Sequence, residues 1–142
     1  RVNFVGMIPY SNLPSYLAMC DVFVTTSVTE VHPLSVIEAM GAGLPIVGID
    51  SPGVGDSVTD GETGLLAKEE IASYTAKLTY LCLHKDLQKK FGAAARKSSE
   101  QYSIERTVQI MLNHYTYLIQ NAKPPKPKLD ERLKSILEEF IK

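Results

Sequence analysis

Three short apolar runs, separated by two stretches of helical spacing, constrain the first half of this chain more than any other feature. The runs are Val2-Asn3-Phe4-Val5, Val22-Phe23-Val24-Thr25-Thr26 and Pro45-Ile46-Val47-Gly48-Ile49. All have strand length and carry β-branched or aromatic residues. Between the first two, Ser11 or Asn12 is placed to cap a helix with Pro14 in its first turn and Tyr16, Leu17 and Met19 on one face, ending by about Cys20. Between the second and third, Leu34 to Ala42 holds good helix formers and is stopped by Gly41 and Gly43. A strand reached through a crossover helix lies parallel to its predecessor, whereas an antiparallel neighbour needs only a tight turn. Asp60-Gly61-Glu62-Thr63-Gly64 then supplies a turn, with Leu65-Leu66-Ala67 as a short last strand. The expectation is an α/β fold: a Rossmann-like parallel sheet of about three to four strands with flanking helices and a helical C-terminal tail.

From Lys68 onward the spacing is helical only. Ile71, Tyr74, Leu78, Leu81 and Cys82 recur at three-and-four intervals over 69–83, and Leu87, Phe91, Ala94 and Ala95 do so over 87–100. Ser103 is placed to cap a longer helix reaching about Asn121, with Val108, Met111, Leu112, Tyr115, Leu118 and Ile119 along one face. The Pro/Lys run from Lys123 to Lys128 predicts an extended linker. Leu129 to Ile141 predicts a final amphipathic helix, with Leu129, Leu133, Ile136, Leu137, Phe140 and Ile141 apolar. The expected organisation is one domain over 1–122, a linker over 123–128 and a C-terminal helix over 129–142. A helix of about thirteen residues is marginal alone in water, so this one needs a partner: its own sheet, a neighbouring domain or another copy of the chain.

A length of 142 residues suits one domain with a real core. A net charge of -1 gives no basic field for nucleic acid, which is therefore not an expected partner. Cys20 and Cys82 lack metal-ligand or redox-motif spacing and read as buried free thiols in a reducing compartment; no metal is expected. No run approaches the ~18 apolar residues of a membrane span. The expected location is cytoplasmic, with peripheral membrane attachment of a longer parent left open. The chain opens on Arg1-Val2 rather than Met, as a piece of a longer chain would.

The chemistry concentrates in Thr26 to Gly43, where a strand end, a polar loop and a helix start meet. Glu30 and Glu38 flank Pro33, eight positions apart, one on the loop and one in the early turns of the helix. Carboxylates so placed can face one cavity and accept hydrogen bonds from a polyol, including the vicinal diol of a ribose. The N–H groups of Leu34 and Ser35 stand at the helix start, where an anion is stabilised, and Pro33 has no N–H of its own. His32 either reaches such a ligand or faces solvent. Asp56 reads as a cap for Ser57 to Asp60. His84 and His114 read as ordinary helix-surface or core side chains.

Five blocks, in order, add a family resemblance. They are Val2-Asn3-Phe4-Val5-Gly6; Asp21-Val22-Phe23-Val24 with Ser27; Glu30 through Glu38-Ala39-Met40; Gly43-Leu44-Pro45-Ile46-Val47; and Asp60-Gly61-Glu62-Thr63-Gly64. The run from Val2 to Ala67 resembles the C-terminal, donor-binding domain of GT-B glycosyltransferases, in particular the large retaining group numbered family 4. The resemblance implies that Glu38 binds the ribose of a nucleotide-sugar donor (UDP-, GDP- or ADP-sugar) and that Glu30 lies at the transferred hexose, as the candidate catalytic residue. It implies that His32, Pro33, Leu34 and Ser35 line the sugar and phosphates, and that Met7 and Ile8 lie against the base.

No cofactor beyond the donor substrate is implied. The acceptor is a hydroxyl of a glycan, lipid or metabolite, held mainly by an N-terminal domain outside this sequence. An Arg and a Lys that neutralise the pyrophosphate are implied upstream of Val2, so this chain alone is not expected to be a competent catalyst. The alternative is a non-catalytic nucleotide-sugar binding or interaction module. A nicotinamide-binding domain is disfavoured, because no GxGxxG follows the first strand. An open strand edge along Val2 to Val5 further predicts self-association.

Overall fold

Parallel pairing requires a crossover between strands, and the computed structural model, which describes residues 1–122 and 131–140, has one at each step. After a short 3-10 turn at Tyr10–Asn12, the elements of the first unit are α1 (Leu13–Ala18), β1 (Phe23–Val24), α2 (Leu34–Gly41), β2 (Ile46–Ile49), α3 (Val54–Ser57), β3 (Gly64–Ala67), α4 (Ile71–Leu83) and α5 (Lys85–Ser99). The strands lie in the order β1-β2-β3, all parallel, with Phe23 opposite Ile46 and Val47 opposite Leu65. Successive strand residues face opposite sides of a sheet. Ile46 and Leu66 accordingly join one core cluster with Leu17, Val36, Met40, Val54 and Val58. Val47 and Leu65 join the other, with Tyr74, Leu78, Leu81 and Phe91. Helices thus cover both faces, and all four residues of β2 are buried.

The expected first strand is not formed. Residues 1–9 have no regular structure, and Val2, Phe4 and Val5 are 78%, 96% and 61% exposed. Strand propensity acts through pairing and burial, and neither is present: β1 bonds to β2 alone, over two residues. The edge expected to drive self-association is therefore absent along Val2 to Val5. Two further expectations fail on burial. Cys20 and Cys82 are free but exposed. Cys20 follows the end of α1, and Cys82 sits on α4 beside the fully buried Leu81, on the side turned from the core. Ile71, the first residue of α4, is 89% exposed.

The join between α4 and α5 is closed by a residue that the apolar spacing does not single out. Buried Gln88 donates from Nε2 to the Leu81 carbonyl at 2.9 Å and to the Cys82 carbonyl at 3.3 Å. Those carbonyls belong to the last turn of α4, whose final C=O groups have no partner within the helix. At the other side of α5, a Cβ on Gly92 would overlap the Gly43 carbonyl, so glycine lets this helix rest directly on the corner after α2.

The chain divides into two compact units, Arg1–Thr107 and Val108–Lys142. Helix α6 (Ile104–Asn121) begins in the first, where Ser103 Oγ accepts the Arg106 N–H at 3.3 Å, in the capping position expected for it. In the second unit Val108, Met111, Leu112, Tyr115, Leu118 and Ile119 are all exposed. A further helix, α7 (Glu131–Phe140), carries exposed Leu133, Ile136, Leu137 and Phe140. The expected linker over 123–128, with Leu129 and Ile141 of the expected helix, lies outside the described residues. No helix among the described residues is long and apolar enough to cross a membrane.

Candidate functional site

The carboxyl ends of parallel strands gather loops on one rim of a sheet, and ligands of open α/β folds bind there. Here the loops after β1 and β2 are stapled together. Ser51 Oγ donates to the Ser27 carbonyl at 3.1 Å. Ser27 Oγ in turn donates to Glu30 Oε1 at 2.9 Å, so the half-buried Glu30 carboxylate is held from within its own loop. Gly53 lies against the Glu30 backbone so closely that a Cβ would overlap the Glu30 carbonyl, and its φ of +81° is one that L-residues rarely adopt. The Gly53 N–H donates to Asp56 Oδ2 at 3.0 Å. Asp56 therefore reaches back to the start of α3 instead of capping forward over Ser57 to Asp60. As the third residue of that helix, its carboxylate is nearer the unpaired N–H groups behind it.

Helix α2 starts at the next position along this rim. Pro33 is buried, and its carbonyl takes the Val36 and Ile37 N–H groups at 3.0 and 3.1 Å. No side chain caps the helix, and Leu34 and Ser35 are exposed, so their N–H groups face outwards at its positive end. Glu38, one turn further on, is half-buried and accepts from the Tyr10 hydroxyl at 2.6 Å. Its hydrogen bond and negative charge hold the Tyr10 phenol above its ordinary range. Tyr10 and Glu38 line a cleft of about 420 Å³ between α1 and α2, with Leu13, Pro14 and Leu17. The two carboxylates thus have separate partners, Ser27 and Tyr10.

His32 is exposed and packs edge-on to Tyr102, with ring centroids 5.7 Å apart. Met7 is fully exposed and Ile8 half-buried, both in the irregular segment before Tyr10. A second cavity, of about 290 Å³, opens on the opposite face of the sheet and is lined by Thr26, Ile49, Ile71 and Tyr74 among others. Tyr74 donates its hydroxyl to the Thr25 carbonyl at 3.1 Å and the Val47 carbonyl at 3.2 Å, and burial raises its pKa. Among the described residues no three His, Cys, Asp or Glu side chains converge as metal ligands would.

Tyr10, Ser27, Ser51 and Gly53 do not stand out as site residues in the sequence. Serine beside a loop carboxylate, as in Ser27-Val28-Thr29-Glu30, is a local signal that identifies one of them. The others meet their partners only through the fold.

Residues 1–98 match the family described as glycosyl transferases group 1. The chain belongs to the glycosyl transferases group 1 family. Among curated relatives, a sulfoquinovosyl transferase of Arabidopsis thaliana is 33% identical over 103 residues, which are 70% of this chain and 20% of the relative. The chain spans 20% to 31% of the length of the first relatives it matches. Among solved structures, a sucrose-phosphate synthase from Thermosynechococcus elongatus superposes with a TM-score of 0.79 at 26% identity, over 86% of this chain and 31% of the other. The S. aureus protein TarM, solved in complex with Fondaparinux, alpha-GlcNAc-glycerol and UDP, gives a TM-score of 0.66 at 31% identity, over 72% of this chain and 22% of TarM. The sheet and its helices thus have counterparts in chains about three times as long by these shares.

Proposed function

We propose that this chain is the donor-binding, C-terminal part of a longer GT-B glycosyltransferase of retaining family 4, which transfers a hexose from a UDP-, GDP- or ADP-sugar to a hydroxyl acceptor. The observation that carries the reading is the rim itself: Glu30 and Glu38 flank an uncapped helix start at the carboxyl ends of a parallel sheet. The UDP complex of a relative at 31% identity supports the nucleotide half of it.

The roles follow from the chemistry of each group. Leu34 and Ser35 N–H groups, at the positive end of α2, bind the phosphates. Glu38 accepts from the ribose diol, and Glu30, oriented by Ser27, accepts from hydroxyls of the transferred sugar. Pro33 and His32 bound the sugar from the loop, and Met7 with Ile8 lies towards the base. In transfer the anomeric C–O bond to the phosphate breaks, the acceptor oxygen bonds on the same face, and the acceptor's hydroxyl proton passes to the departing phosphate oxygen. The nucleoside diphosphate leaves as an anion, so N–H donors on its phosphates stabilise the transition state more than the ground state. Further positive charge and the acceptor site belong to the rest of the enzyme.

Calorimetric titration of UDP, GDP and ADP into the chain tests donor binding. One nucleotide binds, and Glu38→Ala weakens it by about tenfold or more, the loss of a hydrogen-bonded charged group. In the longer enzyme, Glu30→Ala lowers the transfer rate while leaving nucleoside diphosphate affinity near wild type. Wild-type transfer by both variants would refute the assignment.

A further inference from the structure

We propose that Tyr10 is the positioning residue for Glu38, its hydroxyl holding one carboxylate oxygen so that the remaining lone pairs are presented to the ribose diol of the donor. The inference rests on the donor-binding reading above and adds a residue from outside the carboxylate motif. A glutamate has several free torsions, and ordering them on binding subtracts from affinity. Glu38 is held in advance. Tyr10 is its one side-chain hydrogen-bond partner among the described residues, at 2.6 Å, the short distance of a hydroxyl donating to a charged acceptor.

Tyr10 is itself fixed by its backbone. Pro9 sets φ at -58°, and the Asn12 N–H closes the turn onto the Pro9 carbonyl at 2.9 Å. Tyr10 and Glu38 both line the α1–α2 cleft, and the segment that carries Met7 and Ile8 leads directly into the turn. A carboxylate offers about four acceptor sites, and Tyr10 uses one, which leaves enough for two adjacent hydroxyls. Tyr10 is 76% exposed, so its ring contributes little packing and its hydroxyl is the part with a partner.

The discriminating measurement compares ribose with 2′-deoxyribose. UDP, GDP and ADP, with their 2′-deoxy counterparts, are titrated calorimetrically into the wild-type chain, Tyr10→Phe and Glu38→Gln, with circular dichroism to check each fold. In the wild type the preferred ribonucleotide binds about tenfold tighter than its deoxy form, the scale of a hydrogen bond to a charged group. Tyr10→Phe keeps the ring and lowers that ratio to about threefold or less, chiefly by weakening the ribo form. A structural role would weaken both forms alike and leave the ratio unchanged, which would overturn the proposal. A ratio lost in Glu38→Gln but intact in Tyr10→Phe refutes Tyr10 and leaves donor binding standing. A ratio intact in both refutes the ribose contact of Glu38 and the role of Tyr10 with it, and no binding by the wild type refutes the donor reading as well.

Discussion

Gly53→Ala tests whether the stapled loops depend on the absence of one methyl group. Two separate effects act at this position. The first is conformational: φ +81° and ψ -55° lie outside the regions open to L-residues, and even the milder left-handed helical region costs about 1–2 kcal/mol. The second is steric, since the new Cβ would overlap the Glu30 carbonyl oxygen and carbon and lie 3.1 Å from its Cβ. Relief requires the Glu30 loop to move against the Ser51–Ser27 and Ser27–Glu30 bonds, worth about 0.5–1.5 kcal/mol each. Together the loss is about 3–4 kcal/mol.

Gly61→Ala separates the two effects. Gly61 has φ +76°, and a Cβ there would meet nothing within 4 Å, so only conformational strain applies, about 1–2 kcal/mol. Urea unfolding followed by far-ultraviolet circular dichroism suits a chain without tryptophan. With a slope of about 1.5 kcal/mol per M, the midpoint falls by about 2 M for Gly53→Ala and about 1 M or less for Gly61→Ala. Equal losses would refute the steric argument, and an unchanged midpoint for Gly53→Ala would refute both parts.

Gln88→Ala leaves the Leu81 and Cys82 carbonyls without their donor and lowers stability by about 1–3 kcal/mol in the same urea assay, whereas Gln101→Ala, at an exposed residue whose side chain donates to Ser98 Oγ, changes it little. Lys77 contacts both Asp60 oxygens at 3.1 Å, but the side chains are 33% and 50% exposed, so Lys77→Met costs under about 1 kcal/mol, measured as a urea midpoint shift that shrinks in high salt. Asp60→Ala costs more than Lys77→Met, because Asp60 Oδ1 also accepts the Leu66 N–H at 2.7 Å. Tyr74 has a folded pKa raised above its unfolded value by burial, so its contribution is fully present below an unfolded pKa of about 10 and is lost as pH rises through the folded one. The alkaline loss of stability, followed by circular dichroism, is therefore smaller in Tyr74→Phe than in the wild type.

The sequence revealed those strands that find a neighbour to pair with. Pro45 to Ile49 and Leu65 to Ala67 read as strands and form β2 and β3, since each has a neighbour to pair with. Val2 to Val5 carries the same chemistry, yet forms no ladder, because alternation states what a strand could bury and not whether a partner edge is there. Cysteine type alone suggested burial for Cys20 and Cys82, but Cys20 falls just past the end of α1 and Cys82 on an outward face of α4. At the rim, Glu30, Pro33 and Glu38 were visible because their relation is local. Tyr10 lies 28 positions from Glu38 and Ser51 lies 24 from Ser27, and no local pattern encodes such meetings. The requirement for glycine at position 53 likewise comes from the carbonyl it meets as well as from its own φ of +81°.

The bonds between Ser51 and Ser27, with the close fit of Gly53 on Glu30, also bear on how this rim can diversify. Two turns that share a seam cannot change length independently. An insertion between Ser27 and Glu30 would draw the carboxylate out of register with Gly53, and one between Ile49 and Gly53 would do the same from the other side. New ligand preferences are therefore accessible through side-chain replacement at exposed places such as His32, Leu34 and Ser35, or through the segment before Tyr10, whose residues 1–9 carry no ladder to disrupt. A library with varied lengths in that segment would keep its fold where one with varied lengths at the seam would lose it.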